Sequence, residues 1–158
     1  MDSRVTELLK QAREQWEAAD RASLKGDQAA ALEHTKCMAT IAERAATLQK
    51  NISAGPIDAS NIRMEVLDDP DADTSWLEQD EFTDELEEYH NGGFTFVGVR
   101  ATVAGETIEG YEETHTSAGL WGITSDSGTA YFREVFEEEK AALIEQLRAD
   151  GFTVEEES

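Results

Sequence analysis

The 158-residue chain has one cysteine, Cys37, so no internal disulfide can form and a reducing, cytoplasmic setting is expected. No run of about 18 apolar residues occurs, so no membrane-spanning helix is expected. The opening residues, MDSRVTELLK, lack a basic stretch followed by an apolar one, so no secretory signal is expected. No glycine loop has phosphate-cradling spacing. Gly92-Gly93 and Gly119-x-x-Gly122 read as turns and close backbone approaches.

Basic residues are scarce, and unevenly so. The chain carries a net charge of −22. Residues 1–61 are almost balanced, with nine acids against eight bases, whereas residues 62–158 hold twenty-six acids against five. A high-salt adaptation would spread acids throughout, so the step implies two units with different tasks. Direct contact between the acidic unit and nucleic acid or an anionic membrane would be opposed by repulsion. The aromatic and aliphatic content is sufficient for a core, which argues against disorder.

Residues 1–54 read as an antiparallel helical hairpin. Val5, Leu8, Leu9, Ala12, Trp16, Ala19 and Ser23 form a stripe at helical spacing, which Asp2 or Ser3 could cap. Gly26 ends it and Asp27 caps a second helix over 28–51, where Met38, Ile41, Ala45, Leu48 and Ile52 step by threes and fours. Such a hairpin buries little alone. It packs on the acidic unit or pairs with a second copy, and a homodimer interface would use Trp16, Met38, Ile41 and Leu48. One hairpin without a repeat excludes a solenoid. His34 and Cys37 near the seam read as a packed histidine and a buried thiol.

Residues 55–61 read as a linker, 62–152 as an acidic α+β domain, and 153–158 as a frayed acidic tail. The domain's element order is β-α-β-β-β-α, a mainly antiparallel sheet of about four strands with helices on one face. A first strand covers 62–67. The capping-box spacing of Ser75 and Glu78 starts a helix near Trp76, whose Phe82, Leu86 and Tyr89 face inward. Phe94 to Val103 is a central strand, 104–106 a hairpin turn, 107–114 a polar strand, 117–119 another turn, and 120–124 the last strand. Ser125, Asp126 and Ser127 offer caps for the closing helix.

Catalytic patterns are weak. Asp69, Asp71, Asp73, Ser75 and Asp80 imitate a calcium loop, but Thr74 stands where glycine is needed and Asp80 where a bidentate glutamate is needed. Glu112-x-x-His115 occurs once, and no histidine lies near Ser125 to Ser127. We expect no cofactor, no metal and no enzyme.

The acids read better as a surface. Between Asp68 and Glu88 stand eleven acids and no base. Asp80/Asp84, Glu81/Glu85 and Asp84/Glu88 are like-charge pairs that each cost a helix roughly 0.2–0.5 kcal/mol. Six acids over Asp80–Glu88 would span about 13 Å of helix, about one charge per 2 Å, near the ~1.7 Å spacing of duplex DNA. The expected partner-binding set is Asp68, Asp69, Asp71, Asp73, Asp80, Glu81, Asp84, Glu85, Glu87 and Glu88, with Glu134, Glu137 and Glu138 from the last helix. The expected partner is a basic nucleic-acid-binding protein. The alternative is an adaptor acting through the hairpin, with the acids serving solubility.

Phe96-Val97-Gly98-Val99-Arg100-Ala101 and Leu120-Trp121-Gly122-Ile123-Thr124-Ser125-Asp126-Ser127, together with Asp69-Pro70-Asp71 and Ser75-Trp76-Leu77-Glu78, resemble small acidic proteins of actinobacteria and their phages and plasmids. The likeness covers about residues 62–152. It implies a mobile-element setting, in which a DNA mimic inhibiting host defence (anti-CRISPR or anti-restriction) is the natural form of an acidic binder.

Overall fold

The computed structural model describes residues 1–156. Helix α1 (Ser3–Leu24) is capped by Asp2, whose carboxylate accepts from the Arg4 N–H at 2.8 Å. Gly26, at φ 74°, turns the chain, and Asp27 caps α2 (Gln28–Ile52). The two helices pack as the antiparallel hairpin that the caps and periodicity predict, with Val5, Ala12, Ala45 and Leu48 buried. Small seam residues draw the helices close. The apolar stripe is wider than one partner helix can cover, so Trp16 stays 59% exposed and Leu9 is exposed too.

The hairpin meets the rest of the molecule at its base. Arg4 Nη1 donates to the Arg148 carbonyl at 2.9 Å, Asn51 Nδ2 donates to the Asp150 carbonyl at 2.7 Å, and Leu48 abuts Gly151. Residues 55–61 are more than a connector. They form β1 (Ile57–Asp58) and a 3-10 turn (Ala59–Asn61), and Ile57, Ala59 and Ile62 are core. β1 pairs in parallel with β6 (Val154–Glu155), so the start of the expected tail is a strand. Residues 157–158 lie outside the described residues.

The main sheet is antiparallel and centred on β3 (Phe96–Glu106). On one side lies β2 (Arg63–Asp68), in unbroken register from Arg63↔Thr102 to Asp68↔Val97. On the other side β4 (Glu112–Thr116) and β5 (Leu120–Thr124) follow one another along the same edge of β3. The expected reversal at 117–119 is instead a bulge. The chain keeps its direction, Ser117 N–H donates to the Ala101 carbonyl at 2.9 Å, and Ala101 N–H donates to Ser117 Oγ at 2.9 Å. The turn expected at 104–106 falls later, closed by Thr107 N–H to the Tyr111 carbonyl at 2.8 Å.

The helices occupy both faces of this sheet, not one. Helix α4 (Thr129–Ala149) covers the face of Val97, Val99, Ala101 and Val103 through Val135, Phe136, Leu143 and Leu147. Gly128 occupies its N-cap, and no side-chain cap bond forms from Ser125, Asp126 or Ser127. The opposite face receives the excursion between β2 and β3, which carries α3 (Thr83–His90). Among the described residues no helix is long and apolar enough to cross a membrane.

Candidate acidic interaction surface

The residues between Asp69 and Phe96 fold around their own small core. Leu77, Phe94 and Phe96 are buried, with Ala72, Trp76, Phe82, Leu86 and Tyr89 packed against them. Trp76 meets Phe82 edge-on at 5.0 Å between ring centroids, and Tyr89 lies 5.5 Å from Phe96. This packing overrides the capping-box signal. Ser75–Glu78 is one 3-10 turn, Gln79 is extended, Asp80–Phe82 is a second 3-10 turn, and only Thr83–His90 is α-helical. A continuous helix from Trp76 would sweep its apolar residues around a wider arc than one sheet face can receive. The break returns Trp76, Leu77 and Phe82 to one cluster.

Six acids expected on one helix therefore divide. Asp80 and Glu81 sit on the second 3-10 turn, and Asp84, Glu85, Glu87 and Glu88 on α3. All six are exposed, as are Asp68, Asp71 and Asp73. The DNA-like axial spacing is not kept, because no single helix carries all six. Exposed acids on a rigid scaffold are kept.

Asp69 and Asp73 are engaged within the fold. The Asp69 carboxylate crosses β3 and accepts from the Gly122 N–H at 2.9 Å, tying the end of β2 to β5. Asp69→Ala is expected to lower unfolding free energy by about 1–2 kcal/mol, the worth of one charge-assisted bond, read from the denaturant midpoint at unchanged slope. Asp73 accepts from the Ser75 N–H at 2.9 Å, and its bonds to Ser75, side chain and backbone, hold its carboxyl below the ordinary carboxylate range. A depressed folded value stabilises the turn at neutral pH. That contribution is lost as pH falls through the lowered value. The other nine carboxylates of the 68–88 run make no side-chain hydrogen bond or ion pair among the described residues.

Glu134, Glu137 and Glu138 are exposed on α4, but the sheet separates them from the α3 acids. The expected set is therefore two acidic surfaces rather than one band. The expected dimer residues also divide. Leu48 is buried at the hairpin base, Met38 and Ile41 are half-buried, and Trp16 is exposed. Cys37 is exposed rather than buried, and His34 Nδ1 lies 2.8 Å from Gln15 Oε1 across the hairpin.

Strand alternation sends Glu112 and His115 to opposite faces of β4, so they cannot share a ligand. The Ser125 hydroxyl accepts from the Thr95 N–H at 3.0 Å, and His115 packs against Phe152. Among the described residues no group of three or more His, Cys, Asp or Glu is gathered to hold a metal.

One feature escaped the sequence. A cleft of ≈ 1060 Å³ lies between the hairpin base and the 107–115 region, lined in part by Arg4, Arg44, Lys50 and His115. Lys50 bridges it to Glu109 at 2.9 Å. Its walls come from segments distant in sequence, and no local pattern marks it. Comparison with known proteins finds no matching family model, no matching curated protein and no matching solved structure.

Proposed function

We propose that this protein is a non-enzymatic binder whose acidic excursion occupies the basic groove of a nucleic-acid-processing protein. In the mobile-element setting implied by the resemblance, the concrete form is a DNA-mimic inhibitor of host defence, directed at a CRISPR effector or a restriction nuclease. The observation that carries this reading is the state of the carboxylates. Nine of the eleven acids in the 68–88 run are free of intramolecular bonds among the described residues, and the segment that bears them is pinned by a buried aromatic cluster. Fixed like charges without counter-charges cost folding energy, and a basic partner returns it as attraction and faster encounter.

Reversing Asp80, Glu81, Asp84 and Glu85 to lysine is expected to weaken binding at least about 100-fold, a loss of roughly 2.7 kcal/mol. The measurement is affinity for the basic protein captured from host lysate, repeated at rising salt. Wild-type binding should fall as salt rises. Affinity unchanged by the fourfold reversal would sink the mimic.

A second reading, the hairpin adaptor, has its own observation: Trp16 is 59% exposed and Leu9 is exposed on the same helix. Under that reading Leu9→Asp with Trp16→Asp removes partner binding and the fourfold reversal does not.

A further inference from the structure

Strand β2 is a regular, uncovered sheet edge. Among the described residues it pairs with β3 alone, over six consecutive residues without a bulge. The opposite side of β3 is served by two short strands broken by the 117–119 bulge. Natural edges are usually blunted by lysine, proline or a bulge. Arg63-Met64-Glu65-Val66-Leu67-Asp68 has no lysine, proline or bulge, and its charges, Arg63, Glu65 and Asp68, leave Met64 and Val66 as the apolar part of the edge.

The direction of the free groups follows from one bond. Asp69 N–H donates to the Phe96 carbonyl at 2.9 Å. Alternation along an antiparallel ladder then turns Leu67, Glu65 and Arg63 toward β3, and leaves the backbone groups of Met64, Val66 and Asp68 pointing away from the sheet. These three residues also lie on the α4 face, where the helix does not reach them. Met64 is 42% and Val66 44% exposed. The other face of the same strand carries Arg63 and Glu65, the latter paired with Arg100 at 2.6 Å, and is the face on which the acidic excursion packs at Phe96.

We propose that β2 takes up an extended basic segment of the protein partner as an added antiparallel strand. This rests on the acidic-surface reading and adds where and how the partner docks. The edge dictates the chemistry of the occupant. Residues opposite Met64 and Val66 are apolar, and the alternate ones, on the face that carries the acids of 71–88 that are unpaired among the described residues, are lysine or arginine. Main-chain bonds supply affinity and the alternation supplies selectivity.

The test uses the full chain and two fluorescent octapeptides of alternating lysine and valine, one with its valines N-methylated. Charge and side chains match; with valines opposite Met64 and Val66 in the antiparallel register the valine N–H groups face β2, so only the unmodified peptide can donate to the edge. Anisotropy titration is expected to show the unmodified peptide binding about tenfold or more tightly, the worth of a few backbone bonds. Val66→Pro should erase that advantage without unfolding the sheet, because the Val66 N–H faces outward. Val66→Thr should retain it. Equal binding of both peptides, weakened by salt and by the fourfold reversal, overturns the edge and leaves the acidic reading standing. No binding of either at low salt overturns both. A chain that is dimeric by sedimentation, and made monomeric by Val66→Pro, overturns the proposal in favour of self-pairing.

Discussion

Leu77→Ala is expected to lower the unfolding free energy by about 2–5 kcal/mol, the range for truncating a fully buried leucine. Leu77 is 0% exposed and lies at the centre of the cluster formed with Phe94 and Phe96. Most side chains of that cluster are large rings, which relax poorly into a void, so the upper half of the range is the better expectation. Loss of packing there also frees the acid-bearing segment. Hydrogen exchange over residues 72–90 should accelerate while β3 and α4 remain protected. The urea midpoint and the exchange map together check this. A variant with an unchanged midpoint would mean that the ring cluster is no core at all.

Gly98→Ala is the second large effect, expected at about 1–3 kcal/mol through overpacking. The added methyl would collide with Trp121 Cε3 and fall 2.5 Å from Cδ2. That is the body of the indole, not a flexible tip. The ring is also held by its Nε1 donating to the Ala118 carbonyl at 3.0 Å, inside the bulge. The methyl therefore displaces Trp121, and with it the bulge that lets β4 and β5 share one edge of β3. The Trp121 indole N–H resonance should shift or broaden, alongside a lower unfolding midpoint. An unmoved resonance would contradict the contact.

The sequence was legible where a physical period ran long enough to be read. Both hairpin helices show several turns of apolar spacing, with Asp2, Gly26 and Asp27 marking their ends, and they fold where expected. The central strand was visible from its two apolar faces. Legibility failed where tertiary contacts outweighed local signals. Ser75 and Glu78 have capping-box spacing, yet Trp76, Leu77 and Phe82 reach the same cluster only if the helix breaks. Two-residue strands such as β1 and β6 have no period to detect. Ser117-Ala118-Gly119 carries turn chemistry, which a bulge and a reversal share. The acids themselves were plain in the sequence. Their division between two faces was not, because it depends on where α3 and α4 settle across the sheet.

The connectivity of the acidic excursion has a consequence for portability. Asp68 and Val97 are direct cross-strand partners, so residues 69–96 are topologically a hairpin loop, however much structure they contain. Closing such a loop instead of a four-residue turn costs only roughly 2 kcal/mol of chain entropy, about 0.6 for each doubling of length, and its aromatic cluster is built largely from its own residues. A loop with its own core and adjacent ends behaves as a cassette. It could be exchanged or lengthened within the host sheet provided that its end contacts, Asp69 to Gly122 and Thr95 to Ser125, are kept. Diversification of charge pattern in this protein can therefore proceed at one insertion point while α4 and the central strands stay the same.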